Sequence, residues 1–264
     1  MTAETDALFG KKILVTRAAD QAAQMAAKIR HYGGEPIAIP VICYRPSTQT
    51  ELQRFSWLQS VRAADWIILT SQNALDYFMR MTIGVNLSHL KWASVGKKTA
   101  ERLASYGYSC DFLPDQFTVE KIVQAFGNGE VAARHVVIPV GSLSPIDRFD
   151  RLKESGIQVT TCIIYETIAC EKSRISLGKA LAAQSLDALT FTSPSTVRFF
   201  TELLGEKIWP EEMGHCVLAA IGPSTAQALQ KIGFPPEVIP VHYTARALID
   251  ALADYYSNKR KFER

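Results

Sequence analysis

No apolar run in this chain approaches the roughly 20 residues that a membrane-spanning helix needs. Its first residues, MTAETDALFG, hold neither a basic segment nor an apolar one, so no secretory signal is expected. Cysteine is sparse: Cys43, Cys110, Cys162, Cys170 and Cys216 stand far apart, and no C-x-x-C pair occurs. Such an odd, scattered set predicts reduced thiols in a cytoplasmic protein. The five histidines are equally dispersed, without H-x-x-x-H or H-x-H spacing, so no metal site is expected. A strong charge of one sign is lacking too. The net charge is +3, and the densest basic run, NKRKFER at 258–264, is expected as a solvated C-terminal tail. That balance excludes a nucleic-acid footprint.

What is present is a repeated alternation. Hydrophobic residues make up 47% of 264, enough for one large core or two smaller ones. Short runs rich in β-branched residues lead repeatedly into segments of helical period: KKILVTR into ADQAAQMAAKIRHYGG, ADWIILTS into QNALDYFMRM, WASVG into KKTAERLASYGY. RHVVIPVG leads into SPIDRFDRLKESG, DALTFTS into PSTVRFFTELLG, and VLAAIG into PSTAQALQKIGF. Glycines 34, 107, 156, 205 and 233 fall where helix C-caps belong. The pattern predicts α/β architecture on parallel sheets flanked by helices.

The alternation contains a duplication. ADWIILTSQNALDYF (64–78) lies over LDALTFTSPSTVRFF (186–200) without a gap. VGKKTAERLASYGY (95–108) then lies over IGPSTAQALQKIGF (221–234), and FLPDQFTVEKIVQAF (112–126) over VIPVHYTARALIDAL (238–252). Each module follows a further strand–helix unit, at 13–34 and 136–156, and each unit ends in an extended segment, EPIAIPVICYRP or IQVTTCIIYETIAC. These two segments read as long strands passing between two lobes.

In open parallel sheets, ligands bind where strands turn into helices. Here those turns read Thr16-Arg17, Thr70-Ser71, Val95-Gly96, Val140 to Ser142, Thr192 to Ser195 and Ile221 to Thr225. Each offers Ser, Thr or Gly before a helix start, whose N–H groups and partial positive charge receive carboxylate or phosphate. Pro194 and Pro223 suit a first helical position, where no N–H is needed. Taken singly, each turn is an ordinary N-cap; the set suggests a ligand with many negative groups. A serine nucleophile is disfavoured, because Phe191 and Ser195 stand where G-x-S-x-G would place glycines around Ser193. Nor is GKKT at 96–99 a phosphate loop: Lys91 and Lys98 replace its glycine and hydroxyl residue.

Together ILVTR, LTSQNAL, VGKKTAERL, IIYET, FTSPSTVRFF and IGPSTAQAL, over about Lys12 to Tyr255, resemble uroporphyrinogen-III synthase. The resemblance implies two flavodoxin- or Rossmann-like lobes joined by a two-stranded linker. Residues 11–36 with 171–256 would form one domain and 43–160 the other, with 35–46 and 157–170 as linker strands and 1–10 and 257–264 as tails. It implies a cytoplasmic, monomeric, cofactor-free lyase. Its substrate, hydroxymethylbilane, is cyclised with inversion of ring D and loss of water, and the resemblance admits a transient hand-over from hydroxymethylbilane synthase. Tyr165 matches the tyrosine proposed to help the hydroxyl leave; a linker-strand packing role is the other reading. Arg17, Ser71, Asn73, Gly96, Thr99, Gly141, Ser142, Ser193, Ser195, Gly222 and Thr225 are the expected substrate-binding positions. One departure stands out: the family's G-x-x-x-R turn is here Gly141 to Pro145, and Arg148 comes three residues late. A non-catalytic homologue that binds a tetrapyrrole or another polyanion is the alternative this departure favours.

Overall fold

A computed structural model describes residues 6–205 and 213–262. In chain order the elements are β1 (Lys12–Val15), α1 (Ala19–His31), β2 (Glu35–Ala38), β3 (Ile42–Pro46), α2 (Glu51–Ala63), β4 (Trp66–Leu69), α3 (Gln72–Met81), β5 (Lys91–Ser94), α4 (Lys97–Ser105) and α5 (Val119–Gly127). They continue with β6 (His135–Gly141), α6 (Asp150–Glu154), β7 (Gln158–Ala169), α7 (Arg174–Ala182), β8 (Ala188–Phe191), α8 (Pro194–Leu204), β9 (Val217–Ala220), α9 (Pro223–Lys231) and α10 (Ala245–Phe262). Two units form: unit 1 is Met1–Cys43 with Ile168–Arg264, and unit 2 is Tyr44–Thr167.

Unit 1 holds a sheet of order β2-β1-β8-β9, parallel at every pairing. The second sheet has order β3-β7-β6-β4-β5, with parallel pairings among β7, β6, β4 and β5. The β3–β7 pair runs antiparallel, since Cys170 N–H bonds to Val41 and Ser47 N–H to Ile164. Both passages of the chain between the units lie in this pair.

The strands are apolar throughout because both sheet faces are covered. In β4, Ile67 and Leu69 point to one core with Trp57, Phe78 and Trp92, while Trp66 and Ile68 point to another with Phe126, Ile138 and Phe149. In unit 1, Ile13 and Val15 pack with Met25 and Ile29 of α1 and with Leu248, Ile249 and Leu252 of α10.

The duplication explains how the strands keep register. Asp65 precedes β4, and its carboxylate accepts the N–H groups of Arg134 and His135 at 2.9 and 2.7 Å, holding the start of β6. Its carbonyl accepts Lys91 N–H at the start of β5. Asp187, its repeat counterpart, does the same in unit 1. Its carboxylate takes Lys12 N–H at 2.8 Å and the Lys11 ammonium at 2.7 Å, and its carbonyl takes Val217 N–H. A second pair repeats the device: Asp111 accepts Trp92 N–H at 2.8 Å, and Glu237 accepts Leu218 N–H at 2.7 Å.

Several expectations change. Segment 35–46 is two strands, because Ile39 and Val41 donate to Val15 and Thr16 at the end of β1 and Pro40 between them has no N–H. The left-handed residue after α1 is Gly33, at φ 76°, in place of Gly34. SPIDRFDRLKESG forms only a 3₁₀ turn, Asp147–Phe149, and the short α6. The scattered cysteines do not all remain thiols: Cys43 and Cys170 are joined as a disulfide. Of the expected tails, residues 1–5 and 263–264 lie outside the described residues. Leu8 is fully buried in unit 1, and α10 runs through Phe262. Helices α2 and α7 escape the periodicity reading because exposed Leu52, Phe55 and Ile175 blur the apolar face, and Gly178 interrupts α7.

Replacing Asp65 by Ala removes an ionised acceptor from two strand amides, an expected loss of about 2 kcal/mol in urea denaturation. Asp65→Asn, which keeps one acceptor oxygen, should lose less. Equal midpoints for wild type and the alanine variant would contradict the register role.

Candidate functional site

The expected site residues gather at the carboxyl ends of strands, and the two units repeat the arrangement with different chemistry. The serines turn out to be caps. Ser71 Oγ accepts Ala74 N–H at 3.1 Å, and Ser193 Oγ accepts Thr196 N–H at 3.1 Å within a reciprocal capping box. Ser195 Oγ lies 2.8 Å from Ser193 Oγ, so these hydroxyls engage each other. Asn73 is half-buried in the first turn of α3.

The glycine turns differ. Gly96 and Gly222 are the N-caps of α4 and α9, and neither helix start has a side-chain cap. Pro223 takes the first position of α9, as expected. The repeat partners Thr99 and Thr225 are both buried in these first turns, and the Thr225 hydroxyl has no hydrogen-bond partner. An aromatic ring stands beside the Gly222 turn. Tyr243, 61% exposed, lies across Gly222, where an added Cβ would meet its ring at 3.2 Å. Phe117, its repeat counterpart, carries the Lys97 ammonium 5.6 Å from its ring centroid. The signal for these aromatics was in the sequence: each precedes a helix-capping threonine, Thr118 or Thr244, in the matched segments.

Arg17 in unit 1 donates from Nε to Gln21 at 2.8 Å, close to the end of β1. Above it, Thr16 and Thr190 exchange buried hydroxyl-to-carbonyl bonds, Thr16 Oγ1 to Thr190 and Thr190 Oγ1 to Leu14, which tie β1 to β8.

Unit 2 gathers the most unusual cluster around Tyr165. Strand β6 ends in an irregularity between Val140 and Gly141, which shifts the pairing so that Gly141 faces Tyr165. The phenol lies over the Gly141 backbone, and an added Cβ there would come within 2.6 Å of its oxygen. Tyr77 stacks on the ring with centroids 5.2 Å apart, and Tyr44 meets it edge-on at 5.7 Å. Only 9% of Tyr165 is exposed. Burial raises its pKa above that of an ordinary phenol, while the Ser71 side chain beside it acts in the opposite sense. The group is therefore a protonated donor at neutral pH. The Tyr165 ring is thus packed on three sides, with its hydroxyl over the strand-end turn at Gly141. Tyr44 and Tyr77 are the residues sequence reasoning missed; neither lies in a turn motif.

Ser142 has its own structural work: its amide donates to the Tyr165 carbonyl at 3.0 Å, and its hydroxyl accepts Thr167 N–H at 3.1 Å. Arg148 sits exposed in the 3₁₀ turn beyond. Among the described residues no group of three His, Cys, Asp or Glu side chains is placed to hold a metal ion, and no helix is long and apolar enough to cross a membrane.

Comparison with known proteins adds the following. The family described as uroporphyrinogen-III synthase HemD matches residues 23–250. A curated uroporphyrinogen-III synthase of Synechococcus elongatus is 29% identical over 94% of this chain and 96% of its own. The solved uroporphyrinogen-III synthetase of Helicobacter pylori aligns at TM-score 0.60 and 14% identity, covering 93% of this chain and 99% of that one. A mutant uroporphyrinogen III synthase of Thermus thermophilus aligns at 0.59 and 18%, covering 94% and 99%. The two structures establish a shared fold.

Gly141→Ala should displace the Tyr165 ring, changing the near-ultraviolet circular dichroism and costing about 1–3 kcal/mol. Gly96→Ala, at an extended φ of −149° with nothing within 4 Å of the new Cβ, should cost less than about 1 kcal/mol. An unchanged tyrosine signal in the first variant would show that the phenol is not held against Gly141.

Proposed function

This chain belongs to the uroporphyrinogen-III synthase family, and on that premise we propose that Tyr165 is the proton donor of its reaction. The activity is cyclisation of hydroxymethylbilane with inversion of ring D and loss of water, which gives uroporphyrinogen III for tetrapyrrole biosynthesis. A pyrrole nitrogen pushes the terminal hydroxyl out as the C–O bond breaks. The leaving oxygen needs a proton, and the resulting azafulvene is then attacked by the substituted ring-D carbon to give a spiro intermediate. In it, that carbon's bond to the ring-C bridge breaks and the bridge rejoins ring D at its free position, inverting the ring. A neutral phenol fits that need: it donates at the start and regains its proton from the pyrrole as the macrocycle is completed. The observation that carries this role is the burial of Tyr165 beside Ser71 and Gly141, which keeps the hydroxyl protonated at a strand-end turn.

The remaining task is to hold a flexible polycarboxylate in one geometry, a matter of orientation more than of acid strength. The starts of α4 and α9 at Gly96 and Gly222 are the best carboxylate receivers, because no side chain caps them. Thr99 and Thr225 add hydroxyls there, and the unpartnered Thr225 oxygen favours this assignment. Ser71, Ser193 and Ser195 contribute less through their side chains, which are already engaged, than through the backbone N–H groups they precede. Asn73, Arg17 and Ser142 supply further polar contacts, with Gly141 providing close backbone approach. The same reading makes the protein a cytoplasmic monomer that receives its unstable substrate from hydroxymethylbilane synthase.

Added to enzymatically generated hydroxymethylbilane, the protein should shift the product from the I isomer to the III isomer, read by chromatography of the oxidised porphyrins. An unchanged ratio with folded protein would remove the synthase reading. Tyr165→Phe should lower turnover by about a hundredfold with product affinity nearly intact; lost affinity with unchanged turnover at saturation would make the tyrosine a binding residue. Because the phenol's pKa is raised, its donor form persists as pH rises, so the wild-type to Tyr165→Phe turnover ratio should stay constant between about pH 7 and about pH 9.

A further inference from the structure

We infer that Cys43 and Cys170 form a reversible thiol–disulfide site, opened and closed by exchange with a low-molecular-weight thiol such as glutathione, that clasps the two connecting segments of the chain. Cys43 stands second in β3 and Cys170 directly follows β7, with Cα atoms 4.9 Å apart. That spacing suits a disulfide without backbone movement. They are separated by 127 positions and so bracket unit 2 in the sequence. Each is the unit 1 residue at or near a passage of the chain, since unit 1 ends at Cys43 and resumes at Ile168.

Access to the pair is one-sided. Cys43 is partly exposed while Cys170 is 1% exposed, so an incoming thiolate attacks the Cys43 sulfur and Cys170 leaves as the thiolate. In closure, the Cys43 thiolate attacks a glutathione disulfide and releases one glutathione. The Cys170 thiol then loses its proton and displaces the second. Two protein thiols become one disulfide, and one glutathione disulfide becomes two thiols. The other three cysteines do not compete: burial pushes Cys162 and Cys216 up to about 11 and raises Cys110 as well.

The clasp also adjoins the strand-end turn of β1. Cys170 N–H donates to Val41 at 3.0 Å, and Val41 N–H donates to Thr16 at 3.0 Å, one residue before Arg17. Opening the bond therefore removes the covalent support of a hydrogen-bonded chain that reaches a proposed substrate-binding turn.

The test equilibrates the full-length protein in buffers of varied reduced-to-oxidised glutathione ratio, blocks thiols with a maleimide and maps peptides by mass spectrometry. The expected result is a Cys43–Cys170 cross-linked peptide that disappears as the reduced fraction grows, with the other three cysteines free throughout. Amide exchange at Cys170 should be about tenfold faster in the reduced protein and in Cys43→Ser under either condition. A pair that remains fully alkylated in excess oxidised glutathione overturns the inference. So does a bond that no reduced glutathione opens in the folded protein, or Cys170 exchange that is the same closed and open.

Discussion

Parallel strands buried on both faces tolerate no error of register, because a slip of one residue turns every side chain to the opposite face. In this protein that constraint is met by carboxylates at the amino ends of the strands. Asp65 binds two amides at the start of the neighbouring strand through its carboxylate and Asp187 binds one, and each takes another strand's first amide through its carbonyl. Three strands are thereby aligned from one residue in each unit. Asp111 and Glu237 extend the alignment to the chain segments after α4 and α9. Charge-assisted bonds of this kind are stronger than neutral ones, and several are half-shielded from water.

With the amino ends fixed, the carboxyl ends are free to carry chemistry. Strand-end turns divide into two sorts. At Ser71 and Ser193 a side chain satisfies the first N–H groups of the helix, so the helix start is closed from within. At Gly96 and Gly222 there is no such side chain, and the helix start is left to a ligand or to water. The duplication preserves this division in both units. Helix ends supply local positive potential that a count of lysines does not register.

Tyr165 illustrates how one glycine carries more than conformational freedom. Gly141 permits the phenol to lie on the backbone at the irregular end of β6, and Tyr77 and Tyr44 hold the ring from two other directions. Burial then sets the protonation state. Positioning and acidity thus come from the same packing. The turn after Gly141 is tied to this arrangement, because Ser142 binds back to β7 through its amide and hydroxyl.

The residues that announced the fold did so through local physics. Continuous apolar runs followed by 3.6-residue periods, proline at positions 194 and 223 and serine at 71 and 193 describe elements whose hydrogen bonds close within a few residues. The duplication was legible for the same reason, and it placed the turns at Gly96 and Gly222 in matched positions; the carboxylate pairs and the absence of side-chain caps came from the structure. Helices α2 and α7 were not legible, because exposed apolar side chains hide their buried face. The break of segment 35–46 was set by β1, which draws Ile39 and Val41 to its end. Tyr165's environment and the Cys43–Cys170 bond were beyond the sequence altogether. The sequence by itself determined the repeating strand–turn–helix units and the chemical kind of each turn. Only the tertiary structure decided which distant residues share a turn, because sheet order brings together Gly141 with Tyr165 and Cys43 with Cys170, and no local periodicity encodes sheet order.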